Sequence, residues 1–352
     1  MEQDVQCRTN KAIVVWLIII YLMIYIMVSL GGITRITGSG LSMVDWRPVF
    51  GVLPPLSEKE WVEVFEQYKI TPQYKQVNST MDLTQFKGIF FWEYFHRVFG
   101  RLIGLVVFLP WLYFKFKKQM TPYVAKWTFF GLLWGAAQGC IGWYMVKSGL
   151  VDKPEISHYR LTLHLFMAFF VAVLFFWICV NYLNLRRFRD EDKKPLGMWA
   201  LHSLTGLFVL QIIYGAFMGG KKAGYYYDTF PLMRGEWLPT SFMSEDSIFY
   251  QLLENHHLIH YMHRFFAFLL LLSILGVCAR LFFKGDKVLK LIAYLYLFLI
   301  TAQITTGALT VINHVQVEHA VIHQSFAVLL ITVHAFLIYM IKPLKVNCLG
   351  YC

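Results

Sequence analysis

Four histidines, His96, His164, His263 and His323, sit near the same end of four apolar segments. They fall into two similar pairs, one in each half of the chain. A histidine inside a bilayer is costly without a partner, so it marks a functional site by default. Two imidazoles on facing helices of a bundle can hold a haem iron from both sides, because imidazole is a common axial ligand. Two such pairs predict two haem sites.

A repeat supports that pairing. Tyr94-Phe95-His96-Arg97 recurs as Tyr261-Met262-His263-Arg264, and Ala137-Gln138 with Gly142 recurs as Ala302-Gln303 with Gly307. The alignment selects His263 over His256 and His260, which share its helical face. Greater depth selects His323 over His319, and His164 over His158. His202, His334 and His314 are read as structural. Glu93 lies one turn before His96 on the same face. A carboxylate there can move protons or stabilise positive charge on a substrate; the alternative is an interfacial glutamate paired with Arg97 or Arg101. The equivalent position in the second half is His260, an asymmetry that predicts a reactive first half and a cofactor-holding second half. Arg35, Arg47, Arg97, Arg264, Lys221 and Lys222 are candidates for pairing with haem propionates. Arg97 and Arg264 are equally open to snorkelling towards lipid headgroups.

The elements that position these residues follow from composition. The chain has 352 residues, 57% hydrophobic and only 15% charged, with a mean hydropathy of +0.52. Soluble domains carry about 25% charged residues, so this is an all-α integral membrane protein. Eight apolar runs approach the length of about 20 residues that spans a bilayer: 12–33, 90–114, 124–146, 158–183, 197–219, 257–283, 288–312 and 318–341. They read as eight transmembrane helices in two repeated four-helix bundles, 1–190 and 191–352. The first half carries the substrate site and a long external loop over 34–88. Loops of that length are usually functional or disordered, and its Trp, Phe and Tyr content argues for an ordered cap; in it Ser57–Tyr68, with Glu60 three residues after Ser57, reads as a short capped helix. The connection Gly220–Asn255 is similarly aromatic.

The net charge of +11 reflects topology and not nucleic-acid binding. Lys and Arg crowd the second, fourth and sixth connections, which places those loops and both termini in the cytoplasm. The key histidines then lie within about two turns of the outer helix ends, near 10 Å deep. The first apolar run lacks a cleavage site and is followed by Gly31-Gly32, so it reads as a retained helix. No transit segment precedes it, which points to a bacterial inner membrane. Cys140, Cys179 and Cys278 read as core residues, and Cys7, Cys348 and Cys352 as inert tail thiols.

Three stretches resemble a known family: Gly31-Gly32-Ile33-Thr34-Arg35-Ile36-Thr37-Gly38-Ser39-Gly40-Leu41-Ser42, Trp92-Glu93-Tyr94-Phe95-His96-Arg97 and Tyr261-Met262-His263-Arg264. Together they look like haem A synthase, in the branch shared by alphaproteobacteria and mitochondria. The resemblance runs from the first helix to about Pro343. It implies oxidation of the C8 methyl of haem O to a formyl group, giving the haem A of terminal oxidases. It further implies a haem b cofactor at His263 and His323, substrate haem O at His96 and His164, and Glu93 as the essential acid. Haem O synthase and the cytochrome oxidase assembly machinery are the implied partners, beside membrane lipid, an unidentified electron acceptor and a homo-oligomeric state. Another branch carries a cysteine pair in the first external loop; this chain has none there. The competing reading is a di-haem b-type electron-transfer protein without substrate chemistry. Glu93 and the large cap favour the enzyme.

Overall fold

The computed structural model describes residues 9–44, 53–150, 154–188, 195–239 and 247–342. Eight of its helices are long and apolar enough to cross a membrane. They are α1 (Lys11–Ile36), α4 (Leu83–Phe116), α5 (Pro122–Lys147), α6 (His158–Tyr182), α7 (Met198–Gly220), α9 (His256–Lys284), α10 (Lys287–Ile312) and α11 (Val317–Ile341). Short helices α2 (Glu58–Lys69) and α3 (Pro72–Gln76) lie between α1 and α4, and α8 (Ile248–Glu254) precedes α9. Among the described residues no β-strand forms; Met233 and Glu236 make an isolated bridge.

Several helices start where the sequence supplies a side-chain cap, whereas α6, α7 and α11 start without one. Asp82 and Gln85 form a capping box on α4, and Ser57 and Glu60 form the expected one on α2. Thr121 before Pro122 opens α5. Asn255 accepts from the His257 and Leu258 amides at the start of α9. Each side chain satisfies backbone donors that have no partner inside the helix. His314 and Val315 adopt left-handed backbone in the turn between α10 and α11. That turn packs on the short 3-10 helix Ala223–Tyr225, where Val315 touches the Gly224 position.

Helices α1, α4, α5 and α6 pack in a ring, and α7, α9, α10 and α11 in a second. The rings meet through α1 and α6 against α7 and α11. Lipid gives helices no hydrophobic reason to associate, so polar links and small residues carry much of the contact. Here Ser29 bonds Ser325 at 2.8 Å, Gln324 donates to the Val28 carbonyl at 2.7 Å and Tyr21 donates to Thr332 at 3.0 Å. Gly32 leaves room for the Gln324 amide. His334 accepts or donates to Thr205 at 2.9 Å and Tyr296 at 3.2 Å, tying α7, α10 and α11 in its predicted structural role.

Both apolar cores fill the half of the molecule away from the key histidines. One joins Leu17, Ile20, Trp111, Phe175 and Ile178; the other joins Leu201, Ile274, Leu289, Tyr296 and Leu337. Outward-facing Leu22, Leu105, Leu272, Leu291 and Phe298 are exposed, which suits lipid and not water.

Three expectations need correction. Helix α4 begins at Leu83 and not at residue 90, and α1 runs through Gly31, Gly32 and Arg35 to Ile36. The 34–88 loop therefore shrinks at both ends, because the Asp82 cap and the aromatic run Phe86, Phe90 extend the helix under α2. At 34 residues and about 1.5 Å per residue, α4 is about 51 Å long, well beyond a hydrocarbon core of about 30 Å. His96 consequently sits 13 residues into its helix, not two turns from its end, whereas His164, His263 and His323 lie 6 or 7 residues in. Finally, Cys140 is exposed on α5, while Cys179 and Cys278 are buried as expected. Asp45-Trp46-Arg47-Pro48, Cys7, Cys348 and Cys352 fall outside the described residues.

Candidate functional site

His263 of α9 and His323 of α11 face each other with ring centres 6.4 Å apart. Two imidazoles that share one metal through facing nitrogens, each about 2 Å from it, set their ring centres about 6 Å apart. The observed spacing matches that requirement, with the ring planes at 79° to one another. His323 Nδ1 lies 3.0 Å from the Gln303 carbonyl and acts as donor, which leaves Nε2 to accept: here it faces the Gln303 side-chain amide at 3.3 Å, which would have to turn away for a metal to bind. In the first ring, His96 of α4 and His164 of α6 lie within electrostatic reach of one another. All four rings are half-buried.

Each ring is seated against a glycine of the preceding long helix. A Cβ at Gly307 would come within 2.8 Å of His323, at Gly142 within 2.9 Å of His164, and at Gly215 within 3.2 Å of His263. At Gly31 it would meet His96 at 3.4 Å, an ordinary contact. One turn before three of these glycines stands a glutamine. Gln303 Nε2 lies 3.3 Å from His323 Nε2, Gln138 Nε2 3.4 Å from His164 Nε2, and Gln211 Nε2 3.2 Å from His263 Nδ1. The Oε1 atoms of all three glutamines, and Nδ1 of His164, are buried without a partner. Buried polar atoms of this kind call for a ligand or a rearranged bond. Paired rings, glycine seats and unpaired polar atoms together suit a haem.

Glu93 is buried, at 3% exposure, yet richly paired. It accepts from Ser42 Oγ at 2.7 Å, the Met43 amide at 2.8 Å and Arg97 at 2.5 Å. Arg97 also donates to the Met43 carbonyl at 3.1 Å. Of the alternatives open for Glu93, the pairing with Arg97 is thus present. The corresponding residues of the second ring act alike: His260 Nδ1 donates to the Ala223 carbonyl at 3.0 Å. Arg264 donates to the carbonyls of Thr229, Pro231 and Leu232. In both halves the residue three before the histidine and the arginine after it hold the long connection at this end.

Arg35 reaches across the ring interface to Gly219, where its guanidinium fills the space a side chain would need. Gly219 stands four residues after Gly215, as Arg35 does after Gly31, so one arginine occupies a position that both halves could have filled. Lys221 pairs with Glu254 at 2.8 Å and Lys222 with Glu155 at 3.3 Å. Lys221, Lys222 and Glu155, with Tyr225, Tyr226 and His256, line an open cleft between the connections. Tyr159 also donates to Glu254 at 2.7 Å. Burial pushes the Glu254 carboxyl up, but bonds from Lys221 and Tyr159 outweigh it and hold the group below its ordinary value.

Sequence reasoning found the four histidines but assigned no role to the glycines and did not single out Gln211. The signal was available. Gln138/Gly142, Gln211/Gly215 and Gln303/Gly307 repeat one four-residue spacing on α5, α7 and α10.

The model of the family described as cytochrome oxidase assembly protein matches residues 14–335. A relative from Nitrosospira multiformis, named heme A synthase, is 40% identical over 339 residues, covering 94% of each chain. A heme A synthase of Paramagnetospirillum magneticum is 43% identical over 274 residues, 76% of this chain and 75% of its own. One from the Wolbachia of Brugia malayi is 36% identical over 333 residues, 94% of this chain and 96% of its own. All four histidines and Glu93 fall inside the family match. The chain belongs to the cytochrome oxidase assembly family that contains the heme A synthases.

Proposed function

We propose that this protein is a haem A synthase, an oxidoreductase that converts the C8 methyl of haem O to a formyl group by successive hydroxylations and loss of water from the geminal diol. The observation that carries this reading is the His263–His323 pair at 6.4 Å, within a chain similar over 94% of its length to a heme A synthase. In this reading His263 and His323 hold a haem b cofactor, which supplies one-electron redox chemistry. His96 and His164 hold the haem O substrate, and the rings over 1–190 and 191–352 are the two halves of a duplicated unit. Arg35, Arg97 and Arg264 would be the partners of haem propionates, although Arg97 already bonds Glu93 and the Met43 carbonyl and Arg264 spends its donors on the 229–232 carbonyls.

Glu93 acts through its charge. Its donors fix the carboxylate one turn from His96, in a site of low dielectric. A negative charge oriented in advance stabilises electron-poor character developing on a nearby methyl carbon without reorganisation. The paired loop residues Ser42 and Met43 also close that side of the site.

Orientation belongs to the same proposal: an inner bacterial membrane, termini in the cytoplasm and both haem sites towards the outer leaflet. A reporter fused after residue 342 should read as cytoplasmic, and one in the α5–α6 connection as external; the reverse pattern would overturn this placement. The reaction is tested by extracting pigments from membranes that make the protein with a haem O supply. Formyl or hydroxymethyl haem is the expected product. Unchanged haem B alone would sink the enzyme reading in favour of an electron carrier.

A further inference from the structure

Of the basic residues that could pair with a haem carboxylate, Arg35, Arg97, Arg264, Lys221 and Lys222 are described. Arg97 is engaged by Glu93 and the Met43 carbonyl, and Arg264 by the carbonyls of Thr229, Pro231 and Leu232. Lys221 is paired with Glu254 and Lys222 with Glu155. Arg35 alone among these has no hydrogen bond, ion pair or ring contact. Its side chain is half-buried near the end of α1 and laid on Gly219 of α7. A charge withdrawn from water without a partner is costly, so this guanidinium is held ready for an anion.

The side to which Arg35 reaches decides which site it serves. It follows Gly31, the seat of His96, by one turn of α1, a position that would attach it to the first pair. Its guanidinium lies instead against Gly219, one turn past Gly215, the seat of His263. There it is within electrostatic reach of His323 and of Tyr225, whereas the groups felt by His96 are His164 and Arg97. Gly219 makes the crossing possible, because a Cβ at that position would overlap Nη1.

We propose that Arg35 is the carboxylate partner of the haem at His263 and His323, so that a helix of the first ring completes the cofactor site of the second. Its planar fork can take a propionate through two parallel hydrogen bonds. Its positive charge beside His323 also disfavours the more positive, oxidised iron and so raises the reduction potential of that haem. This rests on reading His263 and His323 as cofactor ligands. It adds that the redox property of one ring depends on where the first helix of the other ring is seated.

The test uses the purified full chain carrying haem B at both sites, the second-site band being the one lost in His263→Ala. In Arg35→Gln, spectroelectrochemical titration should show that band shifted to lower potential, with the other band unmoved. Arg35→Lys, which keeps the charge, should restore most of the shift. Gly219→Ala keeps the arginine but closes its seat, so it should lower the potential as Arg35→Gln does. That second variant keeps the idea testable if Arg35→Gln does not assemble. Hydrogen bonds to charged groups are worth about tenfold in affinity or more, so Arg35→Gln should lose second-site haem to excess apomyoglobin about tenfold faster. Haem B dimethyl ester, which lacks the carboxylates, should leave both proteins at the same rate. An equal acceleration with the ester would overturn the carboxylate contact, and unchanged potentials in Arg35→Gln and Gly219→Ala would overturn the role of Arg35. A shift confined to the other band would attach Arg35 to the first site and leave the ligand reading standing. If no band is lost in His263→Ala, the ligand reading itself fails.

Discussion

Gly307 of α10 lies so close to the imidazole of His323 that a Cβ in its place would stand 2.8 Å from ring atom Cε1. The glycine is the wall that sets the ring's angle towards His263. Real side chains do not tolerate that distance, and the neighbouring atoms belong to a ring with one useful orientation. Gly142 stands in the same relation to His164, at 2.9 Å.

Gly307→Ala should therefore turn His323 away from His263 and lower retained haem at that site about tenfold, as loss of a ligand's support does. Gly276→Ala on α9, where nothing lies within 4 Å, should leave haem content unchanged. The added methyl there should even favour the helix by about 0.5–1 kcal/mol. Haem content per protein by absorbance checks both, and equal content in the two variants would remove the glycine-seat argument.

Glu93→Gln keeps the acceptor for Ser42 and Met43 but removes the charge facing Arg97. Haem retention should stay near wild type while haem A formation falls about 10²-fold or more, the scale of losing an oriented electrostatic group. Haem O or its hydroxymethyl form should accumulate on the protein. Wild-type haem A production in this variant would show that the carboxylate serves only to hold the loop.

Arg264→Leu removes three hydrogen bonds, from two guanidinium nitrogens, to the carbonyls of Thr229, Pro231 and Leu232, at 2.8, 3.2 and 3.3 Å. Bonds from a charged donor contribute about 1.5–3 kcal/mol each. Limited proteolysis should then cut the 221–247 connection faster than in wild type, with membrane insertion intact. Identical cleavage would mean that the arginine's service is to a ligand and not to the loop.

Glu254 makes the packing of α8 pH-dependent. Its carboxyl is held below the ordinary value of 4.5, since bonds from Lys221 and Tyr159 outweigh burial. The stabilisation is complete above the unfolded value and is lost as pH falls through the lower, folded one. Hydrogen exchange over Ile248–Glu254 should accelerate only below about pH 4.5. In Glu254→Gln it should be fast already at neutral pH, with no acid step. An acid step that persists in that variant would assign it to another group.

The eight spans were legible because each is an unbroken apolar run of membrane length, and their ends agree with the observed helices within three residues except at the start of α4. That exception has a cause. Leu83–Ile89 carries polar residues suited to water, but it continues the helix because Phe86 and Phe90 pack against Phe65 and Tyr68 of α2. Such contact lies far along the chain and leaves no local mark. Likewise Arg35, placed by pattern in a loop, is helical and crosses to Gly219.

The sequence by itself determined the number of membrane-length helices, the facing of His263 and His323 and the capping box of Ser57 and Glu60, because hydropathy, repeat spacing and backbone satisfaction are local properties. Only the tertiary structure decided how those histidines are held. The approach of Gly307 to His323 and the reach of Gln211 to His263 depend on which face of one helix meets the next. Crossing and register between helices are fixed by packing over the whole bundle, so no segment read alone contains them.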